Sequence, residues 1–219
     1  SNKKDTFFSL AKLRQPNEWS EYFLIDQEIF SNVEAESFLP NVSLRQLFAF
    51  EMLSELTENS LINLAIASGL MASALNIETS ESLAAPASSQ GSFSFDFYAD
   101  RSSGVLLEHR NGQVEIDALF VGRRGNQEIL FVIEAKTSGR FESLAKHKLI
   151  YPILAIQDKV PPTIPIIPVY LRVIKNSSNR YIDFYVAECN AINKSDYVAI
   201  NELRVVTPRH FVLMGFRTN

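Results

Sequence analysis

The sequence predicts an α/β protein in which helices flank a central mixed β-sheet, with a helical region ahead of the sheet. Three observations support this fold class. Apolar residues recur at helical spacing between about residues 18 and 75, whereas beyond about residue 92 they alternate with polar residues in the two-residue period of strands. A further helical pattern then separates two groups of strands. With 219 residues, 46% of them hydrophobic, the chain can bury a sizeable core.

Residues 1–90 form the predicted N-terminal helical region. Its first core helix spans about residues 43–58, with Ser43 as the N-cap. The apolar face of that helix consists of Leu44, Leu47, Phe48, Met52 and Leu56. The run LINLAIASGLMASAL, residues 61–75, predicts a buried core helix, since it is shorter than the roughly 20 residues that cross a membrane. The small and polar stretch at about 78–92 predicts a linker into the α/β core, residues 91–219.

Strand patterns fill most of this second region. The segments SFSFDFYA and GVLLEHR, a hairpin turn at Asn111-Gly112, and then QVEIDALFV and QEILFVIEAK around the turn GRRGN predict an antiparallel meander. The stretch RFESLAKHKLIY, residues 140–151, predicts a helix that Pro152 must kink or end. IIPVYLRVI and YIDFYVAE predict two further strands, and the tail after them has no clear assignment.

The register of the meander brings charged residues together on one face. If residues 124–125 form a two-residue loop, antiparallel pairing sets Asp117 opposite Val132 and Glu115 opposite Glu134. Asp117 and Glu134 are then diagonal neighbours within roughly 8 Å. The opposite face is predicted to be the packed side, and it consists of Val114, Ile116, Ala118, Phe120, Ile129, Phe131, Ile133 and Ala135.

Lys136 joins Asp117 and Glu134 on their face by the two-residue period, and Glu108 is set opposite Glu115 across the Asn-Gly turn. Like charges opposed across a ladder destabilise it unless a cation or a proton lies between them. Converging carboxylates suit a hard divalent cation, Mg²⁺ first among them, and a nearby lysine can hold a water or help to deprotonate it. The pattern therefore indicates a site that hydrolyses a phosphodiester.

An Asp on one strand, then Glu-x-Lys near the end of the next strand, then a helix, resembles the PD-(D/E)XK nuclease superfamily, which has the restriction-endonuclease-like fold. The matching residues are Asp117, Glu134 and Lys136, and Ile116 stands where the motif has proline. The resemblance implies that Asp117, Glu134 and the backbone carbonyl of Ala135 bind Mg²⁺ or Mn²⁺, and that Lys136 positions the attacking water. It also implies a metal-dependent endonuclease of the restriction or repair type.

Further site residues follow from the same resemblance. Members of the superfamily often add a glutamate from the first core helix, for which Glu51 is the best match and Glu55 the second. Glu115 stays an open candidate for the metal. The exonuclease branch carries Gln-x-x-x-Tyr in the helix after the Glu-x-Lys strand, where this chain has His147 and Tyr151.

Charge is distributed unevenly along the chain. Residues 1–90 carry 5 Lys and Arg against 12 Asp and Glu, whereas residues 91–219 carry 16 against 13, so the two regions have net charges of −7 and +3. With a pI near 5.5 the chain lacks the basic footprint of most nucleic-acid-binding domains. Contact with DNA must then come from a local basic group beside the predicted site, which we expect to bind the phosphate backbone. The group consists of Arg140, Lys146, His147 and Lys148.

The single cysteine, Cys189, excludes a disulfide framework and indicates a reducing compartment, so we expect a cytoplasmic protein without membrane association. The three histidines lack the spacing of zinc ligands: they are His109, His147 and His210. A carboxylate-type metal site is the kind that remains.

Each predicted site residue has a structural alternative. Asp117 and Glu134 could be solvated on an exposed strand face, Lys136 could be a strand-terminal charge, and Glu51 and the basic group could be ordinary helix surface. Two functions therefore stay open. One is a Mg²⁺-dependent nuclease that acts on duplex or branched DNA, for which duplex cleavage would favour a homodimer because each site cuts one strand. The other is a catalytically silent nuclease-fold module for DNA binding or protein assembly, with the acidic first region as its partner surface.

Overall fold

The computed structural model describes residues 19–78, 83–175, 181–192 and 197–215. Its strands, in chain order, are β1 (Phe23–Ile25), β2 (Ala35–Phe38), β3 (Ala87–Tyr98), β4 (Leu106–Arg124), β5 (Gln127–Thr137), β6 (Ser143–Ala145), β7 (Ile166–Lys175), β8 (Ile182–Cys189) and β9 (Val205–Leu213). Seven of them form one sheet in the order β2-β9-β8-β7-β5-β4-β3, and β1 pairs with β6 in a second, two-stranded sheet. The large sheet is mixed, since β5 with β7 and β2 with β9 are parallel while the other pairs are antiparallel.

Helices cover both faces of the large sheet. They are α1 (Trp19–Tyr22), α2 (Asp26–Phe30), α3 (Leu44–Glu51), α4 (Glu58–Ala67), α5 (Leu70–Ala74) and α6 (His147–Ile156). One core cluster packs α4 and α5 against the sheet, and a second cluster packs α6 and α2 against the opposite face. The predicted α/β class, with a mixed sheet flanked by helices, is therefore confirmed.

Both faces of β5 are buried, as is usual for a strand with a parallel neighbour and a helical crossover. The eight residues predicted to form the packed side are all buried. They do not share one face, however, because Val114 and Ile116 pack in the α6 cluster whereas Ala118 and Phe120 pack in the α4 cluster. The prediction of a single packed face was wrong because the buried side chains of β4 switch from one face of the sheet to the other between Ile116 and Ala118.

The prediction of a hairpin turn at Asn111-Gly112 was also wrong. Residues 111 and 112 lie inside β4, which runs without interruption from Leu106 to Arg124 along β3. Asn111 does take the positive φ of 47° that a hairpin turn requires, but Gly112 pairs with Phe93 and the ladder continues after a register shift. The local signal therefore marks a bulge instead of a turn. Consequently Glu108 lies opposite Asp96 and not opposite Glu115.

The turn between β4 and β5 lies one residue later than predicted. Arg124 pairs with Gln127, so the loop is Gly125-Asn126, and Gly125 supplies the positive φ of 58° that such a loop needs. Because this moves the register by two residues, an even number, the residues of β4 that pair with β5, Ala118–Arg124, keep their predicted faces. Val132 is therefore opposite Leu119 instead of Asp117, and Glu115 pairs with Gln90 of β3 instead of Glu134.

The first predicted core helix, 43–58, is two elements. Helix α3 ends at Glu51, and α4 begins at Glu58 behind Thr57, whose hydroxyl accepts a hydrogen bond from the Ser60 N–H as an N-cap. The apolar face predicted for the long helix is split accordingly. Its buried members are Leu47 and Leu56, and its exposed members are Leu44, Phe48 and Met52.

The run 61–75 is buried, as predicted, but it is broken at Ser68–Gly69 between α4 and α5. Within the described part of the chain, no helix has the length and apolar character needed to span a membrane. Of the predicted linker at 78–92, residues 79–82 lie outside the described residues and residues 87–92 belong to β3.

The helix predicted over residues 140–151 begins later, at His147, because residues 143–145 pair with β1 from the other end of the chain. It also continues through Pro152 to Ile156. The missing N–H of Pro152 removes one helical hydrogen bond, but Leu149, Ile150 and Ile153 are buried under the sheet and hold the segment in place. The unassigned tail contributes β9, which lies between β8 and β2.

Candidate active site

Asp117, a predicted site residue, lies at the point where β4 separates from β5. The last paired residues of the two strands are Ala118 and Ile133, and β4 carries an extra residue relative to β3 between Ile116 and Leu119. Beyond this point the Ala135 N–H of β5 donates a hydrogen bond of 2.9 Å to Asp117 Oδ2. The bulge aims the carboxylate at the neighbouring strand, where it replaces a lost backbone acceptor.

Glu134 is the most deeply buried carboxylate of this site, with 4% of its surface exposed. Burial, and then the charge of Asp117, raise its pKa to about 7, against the opposing attraction of Lys136. Burial likewise raises the pKa of Asp117, although the Ala135 N–H and Lys136 oppose this. Because the two neighbouring carboxyl groups are difficult to ionise at the same time, a positive charge placed between them is strongly stabilising, and we call this place the carboxylate locus.

The Lys136 ammonium lies in the carboxylate locus, among oxygen atoms of Glu134, Glu58 and Ala135. Its Nζ lies 3.0 Å from Glu134 Oε1 and donates to the Ala135 carbonyl oxygen at 2.7 Å and to Glu58 Oε2 at 3.3 Å. Burial lowers the pKa of Lys136, but the attraction of Glu134, Glu58 and Asp117 outweighs it, so the pKa lies above its ordinary value. Lys136 is therefore charged and bound to the same oxygen atoms that a metal ion would use.

Glu58 is a site residue that the sequence reasoning missed. It is the first residue of α4, and its Oε1 accepts the Thr137 N–H at 3.0 Å while its Oε2 meets Lys136. The signal was present in the sequence, since Thr57 is a good N-cap and an acidic residue favours the first turn that follows it. The prediction of one helix to residue 58 concealed it. Glu51, the predicted helix glutamate, ends α3, and Glu55 is exposed between the two helices.

The donor set suits a hard divalent cation in its chemistry. Asp117, Glu134 and Glu58 supply carboxylates and Ala135 supplies a carbonyl oxygen, which are the ligands that Mg²⁺ and Ca²⁺ prefer. The described residues contain no group of three or more His, Cys, Asp or Glu side chains already arranged to hold a metal ion. The cation present among these oxygens is the ammonium of Lys136.

Other predicted residues lie around this centre. Glu115 is exposed, and its charge adds to the rise in the pKa of Asp117. Lys148 is exposed on the first turn of α6, close enough that its charge lowers the pKa of Glu134. Burial, Lys148 and His109 lower the pKa of His147, whose ring packs 5.1 Å from that of Tyr151.

Two members of the predicted basic group differ sharply. Arg140 is exposed, with its Nε 4.0 Å from Glu142 Oε1, and is accessible to a phosphate. Lys146 is 2% exposed, so its side chain is not available at the surface for the predicted contact with DNA. Burial, and then the charge of Arg204, lower its pKa to about 8. It precedes α6, and its backbone N–H donates to the Tyr22 carbonyl, which draws its side chain into the protein interior.

A family model described as "Domain of unknown function (DUF6997)" matches residues 25–207. No curated protein and no solved structure matches the chain. The matched range includes all the residues that meet at this site, namely Glu58, Asp117, Glu134, Ala135 and Lys136.

Proposed function

We infer a function for this chain, which belongs to the family described as "Domain of unknown function (DUF6997)", from its candidate site. We propose that it is a Mg²⁺-dependent phosphodiesterase that cleaves DNA, with a restriction-endonuclease-like core. One observation carries the proposal. Asp117, Glu134 and Lys136 meet where two strands separate, and the carboxylates there outnumber the one ammonium among them.

An excess of negative charge around the buried Glu134 is costly, and it is difficult to explain by folding alone. A hard divalent cation would neutralise the carboxylates and give them a role. Asp117, Glu134 and the Ala135 carbonyl would hold Mg²⁺, or Mn²⁺ in its place, with Glu58 as a further carboxylate beside them.

A bound Mg²⁺ would supply Lewis-acid stabilisation of the charge that develops on the phosphate. The chain's own residues would do the rest. Lys136 reaches the Ala135 carbonyl and both glutamates, so small rotations of its side chain would let it orient the attacking water or donate a proton to the leaving oxygen of the phosphodiester. Asp117 is held by the Ala135 N–H, which leaves Oδ1 for a ligand.

Positive charge beside the site suits a phosphate backbone. Arg140 and Lys148 are exposed on the segment and helix that follow β5, and His147 lies between them. These three residues would position the DNA, since phosphate contacts fix orientation without reading sequence. Glu51 and Glu115 remain secondary candidates for the metal. A homodimer would let two such sites cut both strands of a duplex.

The test is cleavage of supercoiled plasmid, branched DNA and single strands with Mg²⁺, Mn²⁺ or Ca²⁺. We expect cleavage with Mg²⁺ or Mn²⁺ and a loss of roughly a thousandfold or more in Asp117→Ala and Lys136→Ala, in line with the size of charge-stabilisation effects in catalysis. Glu128→Ala, on the exposed start of β5, is the matched control and should cleave normally.

No metal-dependent cleavage of any substrate, or equal cleavage by the wild type and both site variants, would remove the enzymatic proposal. DNA binding without cleavage would then favour the silent nuclease-fold module.

A further inference from the structure

An apolar stripe runs along the outer side of α3. Leu44, Phe48 and Met52 follow one another at intervals of four residues, so they line one side of the helix. All three are exposed, Phe48 by 57% and Met52 by 69% of their surfaces. The stripe is part of the face that the sequence predicted to be the apolar side of a longer core helix. In the fold this side is turned to solvent.

The stripe extends beyond the helix at both ends. Leu53, just after it, is half exposed, and Leu44 borders Gly215, next to Met214. The Met214 N–H donates to the Phe38 carbonyl, which brings the exposed Leu39 to the same end. We call these residues the α3 patch: Leu39, Leu44, Phe48, Met52, Leu53 and Met214. A contiguous group of exposed apolar residues is typical of a binding surface, whereas single exposed apolar residues are common everywhere on proteins.

Helix α3 contacts the core through Leu47 and the partly buried Phe50. Leu47 is its only fully buried residue, and eight residues are too few for a helix to be stable by itself. A second helix packed on the α3 patch would bury its apolar side chains and hold α3 from the outside. The feature therefore suits a partner that binds as a helix.

Charge identifies the kind of partner. Residues 19–78 contain nine Asp and Glu and only one basic residue, Arg45. Two of the acidic residues are next to the stripe in the chain, Glu51 directly before Met52 and Glu55 two residues after Leu53, and we call these two residues the acidic rim. We propose that the α3 patch binds a protein partner that presents a basic amphipathic helix, with apolar residues against the stripe and Lys or Arg towards the acidic rim.

Other occupants match the surface less well. In a symmetric dimer the α3 patch would bind the same patch of a second copy, which has the same excess of acidic over basic residues around it. Like charges at such an interface oppose association. DNA and anionic membranes are polyanions, and the acidic rim repels them for the same reason. A basic helix satisfies both the apolar stripe and its surroundings.

The experiment measures binding of a fluorescent synthetic peptide to the full chain by anisotropy. The probe is a helix of about 14 residues, roughly 21 Å long, which is enough to span α3 and its flanks, with leucines at i, i+3, i+4 and i+7 and lysines elsewhere. A second peptide has glutamate in place of every lysine. The proteins are the wild type, the double variant Phe48→Ser/Met52→Ser, Glu55→Lys, and the control Val121→Ser, which alters an exposed apolar residue of β4.

We expect the lysine peptide to bind the wild type and Val121→Ser equally and the double variant roughly tenfold more weakly. Glu55→Lys should weaken the lysine peptide and strengthen the glutamate peptide. Circular dichroism establishes that the variants fold, which these exposed positions allow. Equal binding of both peptides, or equal binding by the double variant, would overturn the proposal. A concentration-dependent dimer in sedimentation that the double variant abolishes would also overturn it, since the occupant would be a second copy.

Discussion

Glu134 is the residue whose environment gives the most direct test of the proposed cation. It is almost fully buried, and burial together with Asp117 raises its pKa to about 7. A divalent cation that binds the ionised form would stabilise the folded chain, because ligands that bind only the native state add to its stability. Removing the charge of Glu134 should remove that effect without a change of shape.

We therefore expect Ca²⁺ to raise the melting temperature of the wild type but not of Glu134→Gln. At about ten times the dissociation constant the gain is about 1.4 kcal/mol. Differential scanning fluorimetry with millimolar Ca²⁺ measures it, and Glu128→Gln, at an exposed position of β5, is the control that should respond like the wild type. An equal rise in Glu134→Gln would place the cation elsewhere.

Lys146 gives a pH-dependent prediction that is independent of any metal. Burial, and then Arg204, lower its pKa to about 8, below its ordinary value near 10.5. The unfolded chain thus binds more protons at this lysine between those two values, so the free energy of unfolding rises with pH there. Below pH 8 the full cost of the buried charge is present.

Lys146→Met should therefore be more stable than the wild type at pH 7, by up to about 3 kcal/mol. The difference should shrink as the pH rises from about 8 towards 10.5, because the wild-type lysine is then neutral in the folded chain and the free energy needed to deprotonate it falls as the pH approaches the pKa of the unfolded state. Urea unfolding at pH 7 and at pH 9.5 measures both values. A variant that is less stable at pH 7 would show that the ammonium has a stabilising partner.

At the scale of elements, a buried ion pair fixes the N-terminal strand and helix to the sheet. Asp26, at the start of α2, accepts from Arg172 Nε of β7 at 2.7 Å and from the Tyr170 hydroxyl at 2.9 Å. It also accepts the Glu142 N–H, and Arg172 donates to Ser138. The segment between the candidate site and α6 is therefore held by a residue more than a hundred positions earlier in the chain.

We expect Arg172→Met to lower the free energy of unfolding by about 3–5 kcal/mol, because Asp26 would be left as a buried charge without its cation. Adding Asp26→Asn should recover part of the loss. Chemical denaturation measures both. Arg101→Met, which breaks an exposed pair with Glu202, is the control and should cost less than about 1 kcal/mol. Equal losses at the two arginines would contradict a special role for the buried pair.

Strands were easier to predict than the connections between them. The alternation of apolar residues located β5, β7 and β8 closely, since buried strands need continuous apolar sequence. The Asn111-Gly112 turn failed because a positive φ serves a bulge as well as a hairpin, and only the partner strand decides between them. The sequence pattern predicted helix at β6, because the strand pairs with β1, about 120 residues earlier in the chain, and a local pattern does not reveal so distant a partner.

The same distinction holds for the candidate site: residues brought together by neighbouring strands were predictable, and residues from distant elements were not. Asp117, Glu134 and Lys136 were predictable because two neighbouring strands and one short loop bring them together, and a register error of two residues preserves their face. Glu58 comes from a helix about 60 residues earlier, and its approach to Lys136 depends on where α3 ends. Lys146 was placed on the surface because its charge favours exposure, whereas its backbone is fixed beside β1.

For the whole molecule, the contacts of residues 19–78 and 83–90 argue against independent folding of this part of the first region. Strand β1 pairs with β6, β2 extends the large sheet beside β9, and α4 and α5 cover one sheet face. Each of these contacts joins the first region to the second. The two regions that composition distinguishes are therefore expected to unfold together.

We expect one cooperative transition in urea, with the same midpoint by far-ultraviolet circular dichroism, which follows the whole sheet, and by fluorescence of Trp19. Trp19 is the only tryptophan and lies in the first region, where its ring packs 6.0 Å from that of Phe23 at the start of β1. Coincident midpoints are the standard sign of two-state unfolding. Arg172→Met should lower both midpoints equally, because it loosens the contact between the regions. A fluorescence transition at lower urea than the circular dichroism transition would instead establish a separate N-terminal unit.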